Sequence, residues 1–132
     1  MKYTIDRKEK YSLMTLHEEN FNSVIAPDVK AQFIMLNSDG TRNLIFDLSD
    51  VTFLDSSGLS ALLTANRIFK NSNGSFVVTG VKSPSIAKLF EISRLDSILS
   101  VVPTMEESVD YIFMEELERD LRGTAAASGE EE

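Results

Sequence analysis

The chain has 132 residues, of which 42% are hydrophobic, and this length suits one domain that buries a core without covalent support. It contains no cysteine and one histidine, which excludes disulfides, thiolate zinc sites, iron–sulfur clusters and a cysteine nucleophile. The net charge of −8 lies entirely in the segment from residue 104 to residue 132, since the rest of the chain is neutral. A neutral body with an acidic end has no basic stripe for phosphates, so nucleic-acid binding is not expected.

Hydrophobic periodicity and turn residues predict strands and helices that alternate along the chain. Short apolar runs without alternation are typical of strands covered on both faces. In chain order the predicted elements are strands at about 1–7 and 11–17, a helix at 27–37, a strand at 43–48, a helix from 57 to 72, a strand at 75–79, a helix at 84–90, a strand at 98–102 and a helix at 104–122. Residues 18–23 and 50–58 are predicted to be connectors. The order predicts one α/β domain over residues 1–122, in which a mixed sheet of four or five strands packs with about four helices.

Local signals mark where several helices begin. Pro27 and Pro84 suit a first helical turn, and Ser83 suits the capping position before it. Thr104 and Glu107 have the spacing of a capping box for the last helix. The chain has no run of about 18 apolar residues and no signal peptide at its start, so we expect a cytoplasmic protein without direct membrane insertion.

The last helix is predicted to carry an apolar stripe, made of Met105, Val109, Ile112, Phe113, Leu117 and Leu121. Two interpretations fit this stripe: packing on the chain's own sheet, which we favour, and a homodimer through the helix. Residues 123–132 have no apolar period and are predicted to form a disordered acidic tail.

The segment from Asp47 to Leu59 stands apart because it places small polar residues immediately before a predicted helix. The structural interpretation is that Asp55 or Ser56 caps the helix that begins near Ser57. The functional alternative is that Ser56 accepts a phosphate, because the free amides and the dipole at a helix amino terminus stabilise added negative charge. The residues alone leave both interpretations open.

The pattern Asp47-Leu-Ser-Asp-Val-Thr-Phe-Leu-Asp-Ser-Ser-Gly58 resembles the signature of the STAS domain, the domain of anti-sigma factor antagonists. The similarity extends from about Met1 to Phe113 and implies a STAS-like fold. Further matches follow in the family's order: Asn73-Gly74, Gly80-Val-Lys-Ser-Pro84, Ile86-Ala-Lys-Leu-Phe90 and Ile92-Ser-Arg-Leu95.

The resemblance implies that Ser56, the first serine of the motif, is the phospho-acceptor, with Ser57 as the alternative acceptor. It implies two partners, a serine-kinase anti-sigma factor and a metal-dependent serine phosphatase. The unphosphorylated chain would sequester the kinase and so free a sigma factor. Phosphorylation would end that binding, and the phosphatase would restore it.

The implied partner-binding residues are those of the motif and of the turn after the second strand. Asp55 is expected to orient the loop, Ser57 to cap the helix, and Gly58 to permit either the turn or close approach of a partner. Asn22 stands where the family often has an aspartate, so this chain lacks one charge on the implied contact surface.

Two other functions are alternatives to this one. The first is an accessory STAS subunit of a stress-sensing assembly or a lipid-transport complex. The second is an enzyme, but its candidate carboxylates have no recognisable nucleophile–base or metal-ligand spacing: Glu18, Glu19, Asp47, Asp50 and Asp55. No catalytic residue, cofactor or metal is therefore expected, and His17 is interpreted as a residue at a strand end.

Overall fold

The computed structural model describes the backbone of residues 1–131 and the side chains of residues 1–123. A 3-10 turn lies at Leu95–Ser97. The helices and strands are β1 (Tyr3–Arg7), β2 (Ser12–Leu16), β3 (Asn20–Phe21), α1 (Ala26–Ser38), β4 (Asn43–Asp47), β5 (Phe53–Leu54), α2 (Ser56–Asn71), β6 (Ser75–Thr79), α3 (Pro84–Ile92), β7 (Ser100–Val102) and α4 (Met105–Glu131).

The main sheet has five strands in the order β1-β2-β4-β6-β7. β1 pairs with β2 in antiparallel register, and every other neighbouring pair is parallel. The predicted α/β fold, with a five-stranded mixed sheet and four helices, is confirmed.

Helices cover both faces of this sheet, which explains why its central strands lack alternation. On one face, Phe33 of α1 packs edge-on against Phe46 of β4, with ring centroids 5.1 Å apart. α2 and α3 complete that core. On the opposite face, Ile45 and Val77 pack with Ile112 of α4, and all three are fully buried. The sheet therefore separates α4 from the other three helices.

Each predicted connector contains a short strand, so the prediction that residues 18–23 and 50–58 are connectors without regular structure is wrong. β3 and β5 pair in parallel, with Asn20 opposite Phe53 and Phe21 opposite Leu54. Phe21 is fully buried, and Val51 and Leu54 are 1% and 5% exposed, so both connectors contribute side chains to the core. A strand of two residues is too short to show a period, which is why the pattern did not reveal the pair.

The predicted helix starts are confirmed. The Ser83 hydroxyl accepts a hydrogen bond from the backbone N–H of Ile86 at the start of α3. The Thr104 hydroxyl accepts one from the backbone N–H of Glu107 at 3.1 Å. Within the part of the chain that the structure describes, no helix combines the length and the hydropathy needed to cross a bilayer.

The predicted stripe of α4 divides into two halves. Its first half, which ends at Ile112, packs on the sheet. Phe113, Leu117 and Leu121 are instead 47%, 51% and 61% exposed. Packing on the chain's own sheet thus accounts for half of the stripe, and a homodimer through the helix stays a prediction.

The last helix is also longer than predicted, because α4 ends at Glu131 and the predicted helix ends near residue 122. The predicted disordered tail falls on residues 123–132. From residue 124 onward the side chains lie outside the described residues, and the prediction of disorder stays untested.

Candidate functional site

The segment after β5 and the segment after β3 meet at one edge of the domain, because the two strands run side by side. The backbone N–H of Asp55 donates to the carbonyl oxygen of Phe21 at 3.3 Å, which extends the pairing by one residue. The turn that begins at Asn22 therefore borders the first turn of α2. Two regions that the sequence marked separately form one surface.

The Asp55 carboxylate holds this surface together. Its Oδ1 accepts hydrogen bonds from the backbone N–H groups of Ser57 at 2.9 Å and Gly58 at 3.1 Å. Its Oδ2 accepts one from the backbone N–H of Ser23 at 3.2 Å. Asp55 is the residue that caps α2, with extended backbone. The sequence predicted that either Asp55 or Ser56 caps α2, and Asp55 is the correct one. The separate expectation that Ser57 caps the helix is wrong.

Ser56 is the first residue of α2, and its side chain is exposed. It borders an open groove of about 440 Å³ between the starts of α1 and α2. The Nζ atom of Lys30 donates to the Ser60 hydroxyl in this groove at 3.3 Å. The residues that line the groove are Ser23, Ala26, Pro27, Lys30, Ser56, Ser57 and Ser60.

This arrangement suits a phosphate on Ser56. The amino terminus of a helix stabilises negative charge, and Lys30 provides a cation at the edge of the same groove. The sequence pattern did not indicate Lys30. It lies on another helix, and no spacing in one sequence connects it with Ser56.

Gly58 is buried where the two segments cross. A Cβ atom at this position would lie 2.6 Å from the carbonyl oxygen of Phe21 and 2.5 Å from Cδ1 of Leu54. The close approach that requires glycine here is with the chain's own β3 and β5 segments.

Asn22 shapes the turn that leads into α1. Its Oδ1 accepts from the backbone N–H of Val24 at 3.1 Å, and its carbonyl oxygen accepts from Ala26 at 2.8 Å. Val24 itself is 79% exposed. Because its side chain is a neutral amide, Asn22 supplies no charge to the surface, but its hydrogen bond fixes an exposed apolar residue beside Ser23.

His17 follows β2 directly, as predicted for a residue at a strand end. Its Nδ1 lies 2.8 Å from Oδ2 of Asp50, and its Nε2 lies 3.1 Å from the Thr4 hydroxyl. Both ring nitrogens are thus engaged, one with Asp50 of the connector after β4 and the other with Thr4 of β1. Among the described residues, nowhere do three histidine, aspartate or glutamate side chains come together as a group that could hold a metal ion.

We expect an Asp55→Ala variant to lose about 1–2 kcal/mol of unfolding free energy, because the change removes the cap of α2 and its link to Ser23. Thermal unfolding followed by circular dichroism measures this loss. The control is Asp28→Ala, which removes an exposed carboxylate from the first turn of α1. Its effect should stay within about 0.5 kcal/mol, because the better helix propensity of alanine offsets the lost charge. Equal losses in the two variants would show that the Asp55 hydrogen bonds do not stabilise the domain.

The STAS domain model matches residues 5–110. The anti-sigma-B factor antagonist of Staphylococcus aureus is 28% identical over 75 residues, which are 57% of this chain and 68% of that protein.

Two solved structures share the fold. An anti-sigma factor antagonist from Mycobacterium paratuberculosis superposes with a TM-score of 0.75 at 22% identity, covering 84% of this chain and 92% of that one. The Bacillus cell fate determinant SpoIIAA in its phosphorylated form superposes with a TM-score of 0.64 at 19% identity, covering 84% of this chain and 99% of that one.

Proposed function

Because the chain belongs to the STAS domain family, we propose that it is an anti-sigma factor antagonist, a binding module and not an enzyme. In this proposal the unphosphorylated chain sequesters a serine-kinase anti-sigma factor in the cytoplasm and so frees a sigma factor. The relative from Staphylococcus aureus carries the name of an antagonist of this kind, which supports the proposal.

The observation that carries the proposal is the position of Ser56. The residue is exposed at the first position of α2, at the edge of an open groove, and its neighbour Asp55 already provides the cap. A kinase can therefore reach the hydroxyl without disturbing a hydrogen bond that the helix needs. The solved relative SpoIIAA is itself known in a phosphorylated form.

Phosphorylation of Ser56 would act as a charge switch. It adds about 1.5–2 negative charges at pH 7, at a helix terminus that tolerates them. The fold therefore survives, while the surface around Ser56 gains negative charge that repels any acidic group of the partner. A metal-dependent serine phosphatase would reverse the change.

The partner-binding surface in this proposal consists of Ser56 with Asp55, Ser57, Gly58 and Asn22. Asp55 and Gly58 contribute by holding the two segments in place, since the Asp55 carboxylate is engaged internally and Gly58 is buried. Ser56 and the Asn22 turn provide the exposed contact.

The proposal is tested by mass spectrometry of the protein isolated from its own cells in growing and in stressed cultures. We expect phosphate on the peptide that contains Ser56, in an amount that changes with the condition, and we expect a Ser56→Ala variant to lose it. Phosphate on Ser57 alone would move the switch by one residue. Absence of phosphate under every condition would contradict the switch and favour an accessory STAS subunit that binds constitutively.

A further inference from the structure

The outer face of α4 carries four large apolar side chains in solvent, here called the α4 stripe: Phe113, Met114, Leu117 and Leu121, which are 47%, 57%, 51% and 61% exposed. Residues three, four and seven positions apart lie on the same side of a helix. The four side chains therefore form one continuous surface. A patch of this kind, framed by polar residues, is typical of an interaction site.

A polar cluster prevents α4 from turning this stripe toward the sheet. Arg119 donates to the Ser75 hydroxyl at 3.1 Å and to the side-chain oxygen of Asn43 at 3.2 Å. The Asn43 amide donates to Glu116 at 2.7 Å, and Arg119 donates to the same Glu116 oxygen at 3.0 Å. Asn43 and Ser75 are each 2% exposed. The inward face of the second half of α4 is thus occupied by polar side chains that hydrogen-bond to one another and to the sheet, while Nε of Arg119 is buried without a partner.

The charge state of Glu116 fits this role. The amide of Asn43 and the guanidinium of Arg119 lower the pKa of Glu116 from its ordinary value, although partial burial acts in the opposite direction. The carboxylate therefore stays ionised and paired at neutral pH. Rotating α4 to bury the stripe would break these hydrogen bonds and expose the cluster.

The stripe is bordered by carboxylates. Asp110 lies three residues before Phe113, and Glu118 lies four residues after Met114. Glu106 and Glu107 are exposed on the preceding turn. Along the part of α4 whose side chains are described, Arg122 is the one exposed cation, and it lies 4.0 Å from Glu118.

These charges decide between the surfaces that could cover the stripe. A second copy would bring two acidic faces together, and the repulsion between like charges disfavours that pairing. An anionic lipid surface would repel the same carboxylates. A positively charged partner gains from both the apolar and the acidic residues.

We propose that the α4 stripe binds an amphipathic helix of another protein, whose apolar face is flanked by lysine or arginine. α4 lies on the face of the sheet opposite α1 and α2, so this site is separate from the surface around Ser56. The chain can then hold two partners at the same time. The second interaction does not depend on phosphorylation of Ser56.

The test is a titration of the full chain, followed by NMR chemical shifts, with a synthetic amphipathic helix of leucine and lysine. We expect shift changes confined to residues 106–121, and affinity at least about tenfold lower for Leu117→Ser and for Leu121→Ser. Ile34→Ser is the matched control, since Ile34 is 50% exposed on α1, and its affinity should be unchanged. A peptide of leucine and glutamate should not bind.

Three results would overturn this proposal. Shift changes centred away from α4 would place the binding elsewhere. Equal binding of the leucine–glutamate peptide would show that the carboxylates do not select the partner. A dimer in sedimentation velocity that Leu117→Ser dissociates would show that a second copy covers the stripe.

Discussion

A Ser56→Asp variant is expected to bind the partner serine kinase at least about tenfold more weakly than the unchanged chain, whereas Ser56→Ala should bind with similar affinity. The aspartate places a permanent charge at the first position of α2, in the middle of the proposed contact surface. At an effective dielectric constant near 20, a like charge about 5 Å away costs a few kcal/mol, and each ~1.4 kcal/mol is one decade in affinity. The kinase is first captured from an extract of the organism's own cells with immobilised Ser56→Ala protein. Titration calorimetry of the purified kinase with each variant then gives the two affinities.

The control for charge is Thr104→Asp. Thr104 caps α4 through its hydroxyl, and aspartate caps a helix equally well. This variant adds the same charge at another helix start, on the opposite face of the sheet. It should bind the kinase as the unchanged chain does. If both aspartate variants weaken binding equally, net charge causes the loss and the local switch is wrong.

The Ser56→Asp change should leave the domain folded, because an acidic side chain in the first turn of a helix contributes about 0.3–1 kcal/mol of stability. Thermal unfolding of this variant should therefore occur at the same temperature as that of the unchanged chain, or slightly above it. This measurement separates a switch at the surface from a loss of structure.

The main sheet and its helices were predictable because their burial follows a period. Val29 and Phe33 of α1 lie four residues apart, Leu62 and Phe69 of α2 lie seven apart, and all four are fully buried. Ile45 and Val77 sit in short apolar runs and pack on the face opposite to their neighbours. Proline and capping residues added the helix starts at Pro84 and Met105.

The site was predictable as a motif but not as a geometry. The spacing of Asp55 to Gly58 indicated a capped helix, and the structure shows that Asp55 makes the cap. The contact of Asp55 with Ser23, 32 residues earlier, has no local signal. The position of Lys30 in the groove has no local signal either, because the packing of α1 on α2 brings it there.

The second half of α4 shows why an apolar period does not determine burial. Phe113 and Leu117 continue the stripe of Ile112 in sequence, yet the structure leaves them exposed. The sheet offers Asn43 and Ser75 at that level, and these polar side chains select Glu116 and Arg119 of α4. The composition of the opposing surface, which a helical repeat does not contain, decided which side of the helix faces inward.

A Gly58→Ala variant is expected to lose about 3 kcal/mol of unfolding free energy, the largest effect on stability that we predict for a substitution in the site. The added methyl group would meet the carbonyl oxygen of Phe21 and the Leu54 side chain at distances below van der Waals contact. Adding one carbon atom to a buried site that has no space for it typically lowers the unfolding free energy by about 1–3 kcal/mol. The carbonyl oxygen of Phe21 cannot move away without breaking the hydrogen bond that it accepts from the backbone N–H of Asp55.

The control is Gly123→Ala, since a Cβ there meets no atom within 4 Å and alanine favours a helix over glycine. Thermal unfolding should show a fall of about 10 °C for Gly58→Ala and no fall for Gly123→Ala. Because the strain falls on the contact between β3 and α2, kinase binding should weaken as well, even at temperatures where the variant is folded. A Gly58→Ala protein with unchanged stability and reduced kinase binding would show instead that Gly58 contacts the partner directly, which is the other role the sequence predicted for it.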